Sequence, residues 1–196
     1  MLKTCHIYTS LLKCIDFLNK NYIIAYPTEA VFALGCNPDS DDAIINLLKL
    51  KNRSKRKGLI LVAASYNQLI PYINECRLSD FQKQKIFSLY SGFITFLVPA
   101  RSNISNWITG FSNLVAVRVT KHPVVKRLCL YYGKPIISTS ANFTGMPESR
   151  TVKDVLKYFG SDIPILDGNI GNFLYPSKIF NILTGEYVRN AYSKKI

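Results

Sequence analysis

Apolar residues recur along the chain with two periods, and the way those periods alternate predicts the fold. Leu11, Leu12, Ile15 and Leu18 follow helical spacing after a Thr9 or Ser10 cap, so residues 10–20 read as a helix. Residues 22–26 form a short β-branched and aromatic run that stops at Pro27, leaving Thr28 and Glu29 at the end of a strand. In the next helix Asp39, Ser40, Asp41 and Asp42 crowd the first turn, Ala43, Ile44, Leu47 and Leu48 make the apolar face, and the last turn is basic. Both ends suit the helix dipole. Gly58 closes that region, and residues 59–63 are apolar throughout, as in a strand buried on both faces.

Ser79 and Gln82 are spaced as a capping box, which predicts a helix continuing through Phe81, Ile86, Phe87 and Leu89. Residues 93–98 and 114–119 read as strands. Residues 123–132 read as a helix begun by Pro123 and stopped by Gly133, and 135–139 as another buried strand. A loop of small and turn residues covers 142–148, and Thr151 with Asp154 starts a helix that Gly160 ends. Strands at 163–166, 178–183 and 186–188 follow, the last two joined through Thr184-Gly185 as a hairpin. Helices alternating with strands, and an antiparallel pair near the end, predict an α/β fold on a mixed sheet. The 196 residues contain no linker, repeat or low-complexity stretch, so one domain over 1–196 is expected.

Composition narrows the class. Hydrophobic residues make up 48 % and charged residues 19 %, enough to fill a core and far from the signature of disorder. No apolar run approaches the roughly 20 residues of a membrane helix. Lys13 and Asp16 interrupt residues 11–18, so a soluble, cytoplasmic protein without membrane association is expected. Cysteines at 5, 14, 36, 76 and 129 form no C-x-x-C pair, and His6 and His122 are the two histidines. That pattern argues against a protein-held metal and for reduced, mostly buried thiols.

The net charge is +13, from 25 Lys and Arg against 12 Asp and Glu. The 17 Lys, 21 Ile and 15 Asn match the codon bias of an AT-rich genome, so position says more than the total. Between residues 49 and 57, six of nine residues are basic (Lys49, Lys51, Arg53, Lys55, Arg56, Lys57) with no acid among them. Such a block is usually a solvated face, and it is also what an anion site requires.

Neither G-x-x-x-x-G-K-[ST] nor G-x-G-x-x-G occurs. Phosphate binding therefore falls to that basic block and to the run Ser138, Thr139, Ser140, Ala141, Asn142 leaving a buried strand, where open α/β sheets bind ligands. From spacing alone, a turn or capping role for the serines is favoured. Nucleophilic serine catalysis is disfavoured because no G-x-S-x-G elbow is present. Arg118 sits in the apolar strand 115–119, sharing a face with Ala116. A solvated, outward Arg is the common outcome, and one facing a cleft would suit bidentate capture of a carboxylate.

Four strings taken together carry a resemblance: Tyr26-Pro-Thr-Glu-Ala-Val-Phe, Lys51-Asn-Arg53, Val115-Ala-Val-Arg118-Val and Ser138-Thr-Ser-Ala-Asn142-Phe-Thr-Gly145. In that order the chain resembles the YrdC-type threonylcarbamoyl-adenylate synthases, from about residue 10 to Arg189, in their short bacterial form. The resemblance implies a twisted mixed sheet with flanking helices around a concave, positive cavity. It implies an enzyme that joins L-threonine, bicarbonate or CO₂ and ATP into L-threonylcarbamoyl-AMP and pyrophosphate. Downstream proteins would pass the threonylcarbamoyl group to the adenosine beside the anticodon of tRNAs that read codons starting with A, and weak tRNA contact is compatible with that role. By position, Lys51, Arg53, Ser140 and Asn142 would carry the chemistry, with Arg53, Lys57, Asn142, Arg150, Ser177 and Arg189 on ATP. Thr28, Glu29, Ala30, Arg118, Ser138 and Ser140 would hold threonine, Arg118 taking its carboxylate. Mg²⁺ is expected to arrive on ATP, since no carboxylate cluster is available to hold it. The sequence departs from the family pattern at Ala33, where relatives commonly have Gly, and at Lys57-Gly58, where Asn-Pro is frequent. The competing reading is a non-catalytic basic protein that binds tRNA or rRNA through the 49–57 block and its twelve tyrosines, although no RNA-binding module is visible.

Overall fold

The caps and stops in the sequence set most of the element boundaries. The computed structural model describes residues 8–89 and 93–190; Cys5 and His6 lie outside them. The elements in order are β1 (Tyr8–Thr9), α1 (Leu11–Asn19), β2 (Ile24–Pro27), β3 (Phe32–Gly35), α2 (Asp41–Leu50), β4 (Ile60–Ala63), α3 (Asp80–Leu89), β5 (Ile94–Pro99), α4 (Asn106–Thr109), β6 (Leu114–Val119), α5 (Pro123–Tyr132), β7 (Ile136–Ser140), α6 (Val152–Phe159), β8 (Ile165–Leu166), β9 (Lys178–Asn181) and β10 (Glu186–Arg189). Ser10 and Ser40 accept the backbone N–H groups of Lys13 and Ala43, Thr151 and Asp154 form a complete capping box, and Ser79 and Gln82 bond each other's backbone. Each such cap stabilises its helix by about 1 kcal/mol.

All ten strands join one sheet in the order β1-β8-β2-β3-β7-β4-β6-β5-β9-β10. The sheet is mixed as expected, but the terminal hairpin is one of five antiparallel pairings, alongside β2–β3, β3–β7, β4–β7 and β5–β6. Strand β3 was not predicted. Thr28 N–H and Oγ1 both bond the Val31 carbonyl, at 3.0 and 2.7 Å, which turns the chain back after Pro27 and pairs Pro27 with Phe32. β3 is buried at every position, so it lacks the alternation that marks a strand. Gly35 is required there: a Cβ would meet the Ile137 carbonyl oxygen at 2.5 Å. In α3, Ile86 is buried, whereas Phe81 and Phe87 face outward.

Strand alternation divides the core in two. One face carries Ala25, Leu61, Phe96, Val115, Val117 and Ile137, packed under Ile44 and Leu47 of α2, Ile86 of α3, Ile108 of α4 and Val155 of α6. Burying each aliphatic side chain of that kind contributes about 1.5–3 kcal/mol. The other face carries Ile24, Tyr26, Val62 and Ile136 beneath Cys14 and Leu18 of α1 and Val125, Leu128 and Cys129 of α5. Those helices cover only part of that face. In register, Val62 pairs with Arg118, Ile60 with Ser138 and Ala33 with Ser140, so the same face runs on into polar side chains. Cys14, Cys36 and Cys129 are free and buried and Cys76 is free and exposed, in line with the expected reduced thiols. None of the helices among the described residues is long and apolar enough to cross a membrane.

Candidate active site

The polar end of that face opens into a cavity of about 150 Å³. Its walls include Thr28 and Ala30 from the β2–β3 turn, Ala33 from β3, Arg118 from β6 and Ser138, Thr139 and Ser140 from the end of β7. Arg53, Phe93, Glu148, Ser177 and Arg189 complete the rim. The β7 serines therefore face a ligand space instead of serving as a turn. Ala33 adds its methyl to the wall while keeping its strand pairing with Ser140, so the departure from Gly leaves the turn intact.

Of the two outcomes open to Arg118, the structure has the one facing a cleft: the side chain lines the cavity and is 6 % exposed. Its Nη2 lies 3.4 Å from Glu29 Oε2, and its guanidinium sits 4.8 Å from the Phe93 ring centre. Glu29 is not on the cavity wall but behind Arg118, where Oε1 accepts from Thr120 Oγ1 at 2.7 Å. Burial works to raise the Glu29 pKa; Arg118, the Thr120 hydroxyl and the turn's own backbone outweigh it and hold the carboxyl below its usual value. The pair is therefore ionised, and the favourable contacts offset a large desolvation cost.

At the opposite wall no carboxylate forms an ion pair with the cations, although Glu148 lines the same cavity and partly offsets the charge on Arg189. Arg53 donates from Nη2 to the Gly58 carbonyl at 2.8 Å, and Arg189 donates from Nε and Nη2 to the Ser177 carbonyl at 3.1 and 2.8 Å. Both pKa values are lowered, Arg53 by burial and Arg189 by burial with the like charges of Arg118 and Arg53. The Nε groups of Arg53 and Arg118 are buried without a hydrogen-bond partner. Buried donors are nearly always paired, so unpaired guanidinium N–H groups beside a cavity point to an anionic ligand.

Lys51 occupies a different place from the one its motif suggested. It is 2 % exposed and its ammonium donates to the carbonyls of Ser140 and Asn142 and, at 3.3 Å, to Asn142 Oδ1. The turn answers in kind, Thr144 bonding the Lys51 carbonyl through N–H and Oγ1 at 3.1 and 3.2 Å. Asn52 takes a left-handed conformation (φ 49°), which lets Lys51 point beneath the 140–146 turn while Arg53 turns toward the cavity. Burial and Arg53 push the Lys51 pKa down to about 7, partly opposed by Glu148. Asn142 Oδ1 also accepts from Ser140 Oγ at 2.7 Å, and its Nδ2 donates to the Met146 carbonyl, so Lys51 and Asn142 form the floor that fixes Ser140.

Thr28, Ala30, Arg53, Arg118, Ser138, Ser140, Ser177 and Arg189 are thus brought together, with Glu29, Lys51 and Asn142 directly behind them. Lys57 and Arg150 are exposed and are not among the residues lining the cavity. Phe93, Thr120, His122 and Glu148 were not anticipated. Thr120 and His122 follow Arg118 closely in sequence, which was the available signal. A larger, open cleft of about 840 Å³ lies by Asp39, Tyr72 and Lys134, but Asp39 is already bonded to both Tyr72 (2.6 Å) and Lys134 (2.7 Å). It presents no unpaired cation among the described residues, so the chemistry is placed in the smaller cavity.

Fold and site together define an α/β protein with a concave cavity lined by three arginines. The chain belongs to the Sua5/YciO/YrdC family: the family described as Sua5_yciO_yrdC, Telomere recombination, matches residues 16–191. It is 52 % identical to the threonylcarbamoyl-AMP synthase of Klebsiella pneumoniae and 51 % identical to that of Escherichia coli. Each match runs over 175 residues, 89 % of this chain and 92 % of the relative. Among solved structures, P. abyssi Sua5 complexed with L-threonine matches with a TM-score of 0.80 at 25 % identity, over 87 % of this chain and 50 % of that one. The chain therefore spans about half the length of that Sua5. E. coli YciO shares the fold, with a TM-score of 0.79 at 17 % identity over 94 % of this chain and 90 % of its own.

Proposed function

We propose that the protein is an L-threonylcarbamoyl-AMP synthase, a nucleotidyltransferase that uses L-threonine, bicarbonate or CO₂, and ATP. The observation that carries the reading is the convergence of Arg53, Arg118 and Arg189 with Ser138 and Ser140 on one cavity, two of those guanidiniums bearing unpaired buried N–H groups. The relatives named threonylcarbamoyl-AMP synthase and the threonine complex of Sua5 support the choice of substrates.

In this reading Arg118 takes the threonine carboxylate and Ser138 and Ser140 orient the carbamate. The threonine ammonium gives one proton to water, and the free amine nitrogen bonds to the carbon of CO₂ and gives up a second proton to water, leaving the carbamate anion. A carbamate oxygen then attacks the α-phosphorus of ATP, the bond to the β-phosphate oxygen breaks, and pyrophosphate leaves. Arg53 and Arg189 face the accumulating phosphate charge, and positioning with cationic stabilisation carries such a transfer without a covalent enzyme intermediate. The enclosed volume is below the roughly 300–1,000 Å³ of typical ligand pockets. It suits the amino acid, with the nucleotide lying along the open rim toward Lys57 and Arg150. Glu148 is the carboxylate on the walls, and among the described residues no cluster of His, Cys, Asp or Glu could hold a metal ion. The residues do not fit a resident metal, and Mg²⁺ would enter bound to ATP. The single domain, the cytoplasmic setting, the downstream transfer proteins that deliver the group to tRNA, and any weak tRNA contact through the exposed 54–57 loop belong to the same proposal.

Purified protein should release pyrophosphate from ATP only when both threonine and bicarbonate are supplied. RNA binding without that turnover would replace this reading with the non-catalytic one.

A further inference from the structure

Residues 168–177 pass over the amino-acid end of the cavity as a strap. Its backbone is tied down at three points: the Asn169 carbonyl to His122 Nε2 at 3.0 Å, Gly171 N–H to the Thr28 carbonyl at 2.8 Å, and Phe173 N–H to the Glu29 carbonyl at 3.1 Å. Gly171 is needed for that approach, since a Cβ there would sit 2.6 Å from the Glu29 carbonyl oxygen. Phe173 is half exposed, yet its ring is not idle: it lies 4.6 Å from the Phe93 ring centre, tilted by 34°. The Phe93 ring in turn carries the Arg118 guanidinium at 4.8 Å. Phe173, Phe93 and Arg118 therefore form a chain of ring contacts that runs from the strap to the cavity wall.

Arg118 has two lateral supports, the Glu29 carboxylate and the Phe93 face, and its buried Nε bonds to nothing in the protein. The strap touches both supports, Glu29 through the Phe173 N–H and Phe93 through the Phe173 ring. We propose that Phe173 is a positioning residue for amino-acid binding: through Phe93 it holds the Arg118 guanidinium in the plane that meets the substrate carboxylate. This rests on the reading of Arg118 given above. A ring that slides or tilts away would leave Arg118 paired with Glu29 but turned from the incoming carboxylate, so the cost falls on threonine and not on ATP.

The test is the separate measurement of threonine and ATP dissociation constants by calorimetry on the full chain. Phe173→Ala should weaken threonine binding about tenfold, the combined scale of an aromatic pair and a cation–π contact, and leave ATP binding within about twofold. Phe173→Tyr should restore wild-type affinity, whereas Phe173→Leu, which keeps bulk but no ring, should not. On a Phe93→Ala background the Phe173→Ala change should have no further effect. Equal weakening of both ligands, an unchanged threonine constant, or additive losses in the double variant would each overturn the proposal while leaving the synthase reading in place. A wild-type protein that binds no threonine would remove both. Phe173 is 51 % exposed, so its truncation should leave the unfolding midpoint unchanged.

Discussion

The two walls of the cavity hold arginines in opposite ways. At the end proposed for the amino acid, Arg118 is neutralised by Glu29, stacked on Phe93 and almost fully buried. At the end proposed for phosphate, Arg53 and Arg189 donate to backbone carbonyls and, from Arg189, to the Ser177 hydroxyl, and Arg189 is repelled by Arg118 and Arg53 with Glu148 opposing in part. A balanced, fixed guanidinium suits a single carboxylate on a zwitterion, for which excess positive charge would penalise the ammonium group. Guanidiniums without an ion-pair partner, offset only in part by Glu148, suit a polyanion that brings the missing charge with it. One wall thus favours geometry and the other favours charge.

The sharpest break is at Glu29. Glu29→Ala leaves Arg118 buried without its counter-charge, which should destabilise the fold by about 3–5 kcal/mol. Urea denaturation would show it, and saturating threonine should recover part of the loss because its carboxylate takes the vacant place. A midpoint equal to wild type would mean that Arg118 is solvated in solution and the contrast is false.

At the other wall the sign reverses. Arg53→Ala or Arg189→Ala removes repulsion, so stability should hold or rise slightly, while ATP affinity falls by about 1.5–3 kcal/mol, the scale of a hydrogen bond to a charged group. Threonine affinity measured alone should be unchanged. Parallel losses for both ligands would show that the two walls do not act independently.

The floor beneath both walls responds to pH. The folded Lys51 pKa of about 7 lies below the ordinary lysine value of 10.5, so above pH 7 the unfolded chain holds the extra proton. Stability should therefore rise with pH from about 7, by no more than about 1.4 kcal/mol per unit. Cys14, Cys36 and Cys129 act in the other direction, because burial raises each thiol from 9.0 to about 12 and the unfolded thiols ionise first. Stability should accordingly peak near pH 9. His122, lowered by burial, adds its own rise below its usual value of 6.5. Lys51→Met should abolish the climb between pH 7 and 9 and keep the fall above it; a retained climb would mean that Lys51 is not its source.

Legibility differed between these regions for physical reasons. Helix α5 was readable to the residue because Pro123 and Gly133 punctuate it, and the capped starts of α2 and α6 were equally plain. β3 was not, since a strand buried on both sides loses its period, and a turn closed by Thr28 has no Gly or Asn to mark it. For Arg118, alternation gave the correct face, shared with Ala116, but could not say whether helices or a cavity would cover that face. The phosphate wall was visible as the basic block, yet only a fold could separate Arg53, which faces the cavity, from Lys51 beneath the turn and Lys57 outside it. Phe93 and Phe173 are eighty residues apart and meet because the strap leads directly into β9, which pairs in parallel with β5 just after Phe93.

Lys57 gives the smallest expected effect and the finest test of the contrast. It belongs to the same basic run as Arg53 but is exposed, lines no part of the cavity and lies where solvent and salt screen its field. Lys57→Ala should therefore shift stability and ATP affinity by no more than about 0.5 kcal/mol. The residual shift should vanish on raising the ionic strength, whereas the Arg53→Ala deficit, arising inside a partly enclosed wall, should persist. If Lys57→Ala instead matched Arg53→Ala in size and salt resistance, the nucleotide would extend further over the 54–57 loop than the cavity walls indicate, and the phosphate wall would have to be redrawn to include it.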